Sequence, residues 1–135
     1  MTGILIVSHS EDAARGIKQI AAGMSGAGDD VPIAGVGGND EGGLGVSVAK
    51  IFDALSDMLT RCDGVLIIPD LGSSILSSRG AMEMLPTEDA SRVVIADAPA
   101  LEGAMLAAVE ASAGSDLGTV AEAASEAKNL KKSDH

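Results

Sequence analysis

The chain reads Gly3-Ile4-Leu5-Ile6-Val7-Ser8-His9-Ser10 near its N-terminus, an apolar run that ends on a histidine between two serines. A short, continuous run of aliphatic residues is typical of a strand that is covered on both faces, as in parallel sheets. A similar run follows at Val65-Leu66-Ile67-Ile68-Pro69-Asp70-Leu71-Gly72-Ser73, and it also ends on polar residues. We therefore predict two buried strands, each followed directly by side chains that can do chemistry.

Apolar residues at helical spacing separate these strands from each other and from two further apolar segments. Alternation of strand and helix is typical of the α/β class, in which helices cover both faces of a mainly parallel sheet. We predict the common strand order 2-1-3-4, in one domain over residues 1–130 with a flexible tail over 131–135. The predicted strands are 3–8, 31–36, 65–69 and 92–96, and the predicted helices are 11–24, 46–60, 73–85, a segment from 99 onward, and 117–130.

Composition and charge narrow the function classes. The chain of 135 residues is 46% hydrophobic but has one Phe and no Tyr or Trp, so its core must be aliphatic. The net charge of −11 disfavours binding to nucleic acid or to an anionic membrane, because both depend on lysine and arginine. No apolar run approaches the ~20 residues of a transmembrane helix. A single cysteine, Cys62, and a first strand with no basic, cleavable leader before it predict a cytoplasmic protein.

His9 and Asp70 are predicted to meet at one edge of the sheet. In an open parallel sheet, ligands bind beyond the carboxyl ends of the strands, where the strand order reverses. For the order 2-1-3-4 this point lies between strands one and three, which end just before His9 and Asp70. A glycine-rich loop over residues 37–45 follows strand two and opens onto the same edge.

Several chemistries can be weighed for this pair. A metal site is disfavoured, because Asp70 is the only natural second ligand for His9. A Ser-His-Asp hydrolase is conceivable with Ser73, although the chain has no Gly-x-Ser-x-Gly motif around that serine. The glycine motifs that bind nucleotide phosphates are missing after strand one, and so is the acidic pair of a receiver domain.

The remaining possibility is that His9 itself carries a phosphoryl group. A neutral imidazole is a good nucleophile near neutral pH, and an aspartate on one ring nitrogen leaves the other free to attack. Backbone N–H groups at helix starts and glycine turns would bind the phosphoryl oxygens. The catalytic candidates are therefore His9 and Asp70, and the phosphate-binding candidates are Ser10, Gly37, Gly38, Gly72, Ser73 and Ser74.

Simpler roles exist for the same residues. The serines in this set are equally good helix caps, and the two glycines after strand two also suit a plain turn. Asp70 is in a position to cap the helix that follows it. Asp97 ends strand four, farther from the point where the strand order reverses, and is predicted to be structural. His135 in the tail is predicted to have no functional role.

Four short segments of the chain form one recognisable pattern: Val7-Ser8-His9-Ser10, the loop beginning Gly37-Gly38, Asp70-Leu71-Gly72-Ser73, and Asp97-Ala98-Pro99-Ala100-Leu101-Glu102-Gly103-Ala104. Together they resemble the mannose-type EIIA family of the bacterial phosphotransferase system. The resemblance extends from strand one to the helix around Val109-Glu110-Ala111, and it implies a flavodoxin-like core and a homodimer.

The resemblance also implies a function. In the family, a histidine at the position of His9 accepts phosphate from HPr, and the residue that matches Asp70 orients its imidazole. The similarity is greatest to the branch that passes the phosphoryl group to ADP on the L subunit of dihydroxyacetone kinase. This implies a phosphotransferase subunit with a transient phosphohistidine, no permanently bound cofactor or metal, and no nucleic-acid or membrane partner.

Two segments depart from the family pattern. Gly43-Leu44-Gly45-Val46-Ser47 stands where Gly-Thr-Ser is expected, and Ser77-Ser78-Arg79 stands where Asn and Glu are frequent. Both departures affect the expected docking of partner proteins more than the expected role of His9. Two alternatives stay open: an EIIA domain of a mannose-type sugar transporter that passes phosphate to an EIIB domain, and a non-catalytic regulatory binding module.

Overall fold

The structure, a computed structural model, describes residues 1–26 and 30–134. Strands and helices alternate along the chain, and two short 3₁₀ turns, Glu126–Asn129 and Lys132–Asp134, follow the last helix. The second turn lies in the predicted tail, whose His135 is outside the described residues. The elements are β1 (Thr2–Ser8), α1 (Glu11–Met24), β2 (Ile33–Gly37), α2 (Val48–Met58), β3 (Gly64–Pro69), α3 (Gly72–Met84), α4 (Thr87–Ala90), β4 (Val93–Ile95), α5 (Ala100–Ser112) and α6 (Leu117–Ser125).

One parallel sheet of four strands, in the order β2-β1-β3-β4, forms the centre of the molecule. Ser8 of β1 pairs with Gly37 of β2, and Val7 of β1 pairs with Pro69 of β3. The carboxyl ends of β2, β1 and β3 therefore lie level at one edge of the sheet. The predicted α/β class and the predicted strand order are both confirmed.

Different helices cover the two faces of the sheet, as predicted. Ile4 and Ile6 of β1 pack in a layer with α1, α5 and α6, whereas Leu5 and Val7 pack in a layer with α2 and α3. Burial of these aliphatic side chains drives the folding of both layers. No helix that the structure describes is both long and apolar enough to cross a membrane. The small side chains that let α5 lie close to its neighbours are Ala104, Ala107, Ala108 and Ala111.

Most differences from the prediction are at element ends. The helix predicted over 117–130 ends at Ser125 and continues as a 3₁₀ turn. The helix α4 was not predicted, because its 4 residues are too few to show an apolar period. Strands β2 and β4 differ from the predicted 31–36 and 92–96 by one or two residues, within the usual variation of strand ends.

The predicted helix caps differ in outcome. Ser10 caps α1, since its Oγ accepts a hydrogen bond from the N–H of Ala13 at 3.2 Å. The prediction that Ser73 or Ser74 caps α3 is wrong. Leu71 precedes that helix and makes no side-chain cap bond, and the hydroxyl of Ser74 is already bonded to the carboxylate just before it.

Candidate functional site

His9 lies between β1 and α1, at the point where the strand order reverses. Its backbone is held from two sides. The N–H of His9 donates to Oδ2 of Asp70 at 2.9 Å, and its carbonyl oxygen accepts from the N–H of Gly45 at 2.8 Å. The side chain is 28% exposed. The histidine is thus fixed at its backbone while part of its ring is open to solvent.

Asp70 follows β3 and binds the inner nitrogen of the imidazole. Its Oδ1 lies 2.9 Å from Nδ1 of His9. Because a carboxylate can only accept, this contact places the ring proton on Nδ1 and leaves a lone pair on Nε2. The hydroxyl of Ser73 lies 2.5 Å from Nε2 and donates to it. The structure thus brings His9, Asp70 and Ser73 together at the predicted edge.

The carboxylate of Asp70 accepts hydrogen bonds from five donors. Oδ1 accepts from the His9 ring, from Ser74 Oγ at 2.6 Å and from the Leu71 N–H at 2.6 Å. Oδ2 accepts from Ser8 Oγ and from the His9 N–H, both at 2.9 Å. Burial raises the pKa of Asp70, but hydrogen bonds from Ser74, His9 and Leu71 outweigh it and hold that pKa well below its usual range. Asp70 is therefore an anion at neutral pH.

Two of these donors are buried hydroxyl groups. Ser8 is 2% exposed and Ser74 is not exposed at all. Ser8 is absent from the predicted site. The sequence does carry a signal for Ser8, because it is a polar residue at the end of an apolar run. A buried hydroxyl at such a position needs a hydrogen-bond partner. Ser74 was predicted as a phosphate ligand, and its hydroxyl faces the carboxylate.

The other predicted phosphate-binding residues have varied surroundings. Ser10 serves as the cap of α1. Gly37 packs so closely on the backbone of Ser10 that a Cβ would collide with the Ser10 carbonyl oxygen. Gly38 has a φ of +82°, in the left-handed region that favours glycine. Gly72 opens α3, and the space where its Cβ would be is open apart from its own helix and chain neighbours. Contact of these residues with a phosphoryl group stays a prediction.

The glycine-rich loop after β2 reaches the site through Gly45, whose N–H binds the His9 carbonyl. Asn39 organises this loop, because its side-chain oxygen accepts two backbone N–H groups from it. Lys50 of α2 donates to the carbonyl oxygens of Gly37 and Asn39, at 3.3 and 3.1 Å. Leu44, next to Gly45 in this loop, is 80% exposed to solvent. The contact through Gly45 was not predicted.

Other reactive groups lie outside this cluster. Within the described residues, no group of three or more His, Cys, Asp or Glu side chains is arranged to hold a metal ion. Asp97 pairs with Lys128 at 2.9 Å on the surface. Cys62 is buried in the layer with α2, and burial raises the pKa of its thiol, so it is a packing residue of this layer.

The geometry is compatible with two kinds of chemistry. An imidazole whose Nε2 lone pair is fixed toward solvent is a nucleophile. The same order of hydrogen bonds, Ser73 to His9 to Asp70, is also that of a Ser-His-Asp triad, in which the imidazole removes the proton of the hydroxyl. Relatives of the chain bear on the choice between them.

Known proteins of similar sequence cover most of the chain. A sequence model of the EIIA-man family, described as the PTS system fructose IIA component, matches residues 3–121. The phosphoryl donor subunit DhaM of PEP-dependent dihydroxyacetone kinase 2 from Listeria innocua is 38% identical over 110 residues, which are 82% of this chain and 86% of the relative. The corresponding Escherichia coli subunit is 34% identical over 122 residues, which are 89% of this chain but 25% of the relative.

Two solved structures have a similar fold. A protein described as of unknown function superposes with a TM-score of 0.83 at 34% identity, over 93% of both chains. The phosphotransferase system component EIIA from Streptococcus agalactiae superposes with a TM-score of 0.72 at 17% identity, over 99% of this chain and 98% of that one. At that identity, the second match supports the fold alone.

Proposed function

The chain belongs to the EIIA-man family, and from this we propose that it is a phosphohistidine carrier that accepts a phosphoryl group on Nε2 of His9. The family assignment confirms the resemblance seen in the sequence. The observation that carries the proposal is the hydrogen bond between Asp70 and Nδ1, which leaves the lone pair of Nε2 unprotonated on the exposed side of the ring.

Phosphoryl transfer to Nε2 needs only two reactants, the phosphoryl donor and the imidazole of His9. The lone pair on Nε2 attacks the phosphorus of the donor, and the donor keeps the electron pair of the bond that breaks. His9 retains the proton on Nδ1, so the ring gains positive charge as the N–P bond forms. The anionic Asp70, 2.9 Å from Nδ1, stabilises that charge.

Groups around Nε2 are suited to bind the phosphoryl oxygens. The Ser73 hydroxyl, which donates to Nε2, can donate to a phosphoryl oxygen instead. Helix α3 begins beside it at Gly72, and α1 begins two residues after His9. The first N–H groups of a helix have no partner within the helix and favour negative charge. In this proposal they complete the site.

We further propose HPr as the phosphoryl donor and the ADP-bound L subunit of a dihydroxyacetone kinase as the acceptor. Support comes from the relatives above, which are named phosphoryl donor subunits of PEP-dependent dihydroxyacetone kinases. In this role the protein acts as a cytoplasmic homodimer, with no cofactor other than the transient phosphoryl group. The chain spans most of the Listeria relative and about a quarter of the Escherichia coli one.

Labelled phosphoenolpyruvate, enzyme I and HPr test the carrier role, with His9→Ala beside the wild type. We expect label on the wild type that is stable to alkali and labile to acid, and none on His9→Ala. Label of equal amount on both proteins contradicts the assignment of His9. Addition of an ADP-bound L subunit should then remove the label, whereas removal by a transporter EIIB domain instead would support the sugar-transporter alternative. Partner binding without any label would support a regulatory module.

A second candidate follows from the order Ser73, His9, Asp70. A serine hydrolase would need the hydroxyl of Ser73 as its nucleophile, whereas the carrier needs only Nε2. The Ser73→Ala variant separates the two. A carrier still takes label, at a reduced rate, while a hydrolase loses its reaction with a fluorophosphonate probe. Reaction of the wild type with that probe, together with no label from HPr, would favour the hydrolase.

A further inference from the structure

Two buried hydroxyl groups hold the Asp70 carboxylate, one on each oxygen. Ser8 Oγ donates to Oδ2 at 2.9 Å, and Ser74 Oγ donates to Oδ1 at 2.6 Å. The two serines come from different parts of the fold, since Ser8 ends β1 and Ser74 lies in the first turn of α3. Ser8 also accepts a hydrogen bond from the N–H of Ser10 at 3.1 Å. The carboxylate is thus tied to both chain segments that flank the ring.

We propose that Ser8 and Ser74 are positioning residues that fix Asp70 so that Nδ1 of His9 keeps its proton and Nε2 stays the nucleophile. This inference rests on the proposed carrier function. Both hydroxyls are buried and bonded to the carboxylate, so they face Asp70 rather than the open side of the ring. Their role is therefore distinct from that of Ser73, which is exposed and faces Nε2 directly.

The geometry explains why a carboxylate alone is insufficient. A carboxylate has two oxygens and rotates about its bond to Cβ, and only one orientation places Oδ1 on Nδ1. Without Ser8, Oδ2 retains a single donor, the His9 N–H. Without Ser74, Oδ1 retains the Leu71 N–H and the ring itself.

The tautomer of His9 is the direct readout of this role. In wild-type protein, ring ¹⁵N chemical shifts should show a protonated Nδ1 and an unprotonated Nε2. In Ser8→Ala and in Ser74→Ala we expect a mixture of the two tautomers. A role in packing alone would alter stability and leave the tautomer unchanged. Ser74→Ala tests the proposal even if Ser8→Ala folds poorly, because alanine is the better helix former.

The rate of phosphorylation by phospho-HPr is the second readout. We expect each variant to be slowed roughly 10-fold to 100-fold, the effect of weakening a hydrogen bond to a charged group. The HPr concentration at half-maximal rate should not change, since neither hydroxyl is on the surface. Ser8→Thr keeps the hydroxyl and should restore both the rate and the tautomer.

Thr2→Val is the matched control, because Thr2 is the other buried hydroxyl residue of β1 and its Oγ1 donates to the Ser115 carbonyl far from the site. It should change neither the tautomer nor the rate. A wild-type tautomer and a wild-type rate in both serine variants would overturn the proposal. The ¹⁵N measurement needs no phosphoryl donor, so it tests the positioning role of Ser8 and Ser74 independently of phosphorylation. Failure of the carrier function would instead show as absence of label on the wild type.

Discussion

Replacing Asp70 by asparagine tests the central interaction of the site with almost no change of shape. An amide has one oxygen and one NH₂ group, so one of the two acceptor positions becomes a donor. If the NH₂ group takes the place of Oδ2, the Ser8 hydroxyl and the His9 N–H lose their acceptor. If it takes the place of Oδ1, Leu71, Ser74 and the ring lose theirs. The first orientation disrupts fewer bonds.

The size of the effect follows from that count. Leaving a buried donor without an acceptor costs about 1–3 kcal/mol. For Ser8 this cost is reduced, because its hydroxyl can rotate toward another acceptor. We therefore expect Asp70→Asn to lower the free energy of unfolding by about 2–4 kcal/mol. The loss of the negative charge opposite Nδ1 should also slow phosphorylation by about 100-fold or more.

Urea unfolding followed by far-UV circular dichroism measures the stability, because the chain has no Trp or Tyr to report by fluorescence. Phosphorylation by phospho-HPr measures the rate. Asp97→Asn is the matched control, since Asp97 also follows a strand but is 89% exposed and pairs with Lys128 at the surface. It should behave as wild type in both assays. Wild-type stability and a wild-type rate in Asp70→Asn would refute the account of the site given above.

Three further outcomes are expected. Because the pKa of Asp70 is lowered on folding, its stabilising contribution is complete above about pH 4 and is lost as the pH falls toward the native value. The difference in urea midpoint between wild type and Asp70→Asn should therefore shrink below about pH 4, and a constant difference would contradict this. Ser78 in α3 has a buried hydroxyl without a partner in the described structure, so Ser78→Ala should raise the free energy of unfolding by about 0.5–1.5 kcal/mol. Gly37→Ala should lower it by about 1–3 kcal/mol, because the new Cβ would push against the Ser10 backbone; an unchanged urea midpoint would show that the two segments can separate freely.

The sheet could be predicted because its two central strands are continuous aliphatic runs. Such runs are buried on both faces, and alternation with helices leaves few topologies to choose from. The meeting of His9 and Asp70 then follows from strand order alone, although the residues are 61 positions apart. Short elements carry no comparable signal, which is why α4 was not predicted.

Parts of the site were not predicted because they depend on contacts between distant segments. The capping role predicted for Ser74 was wrong, since the sequence shows a serine near a helix start but not the carboxylate that takes its hydroxyl. Gly45 reaches the His9 carbonyl from a loop whose path no local pattern defines. Ser8 could have been identified, because a polar residue that ends a buried strand requires a partner at the sheet edge.

If His9 carries a phosphoryl group as proposed, the contacts around its imidazole divide into support of the ring on one side and binding of the phosphoryl group on the other. On the Nδ1 side, Asp70 is held by five donors and Ser74 Oγ lies 3.3 Å from the ring nitrogen. On the Nε2 side, the described structure gives the ring one hydrogen bond, from the exposed hydroxyl of Ser73. Rigid support behind the ring lowers the cost of orienting the nucleophile in each transfer. In front of the ring, the proposed phosphoryl group would be bound by the Ser73 hydroxyl and by the N–H groups at the starts of α1 and α3.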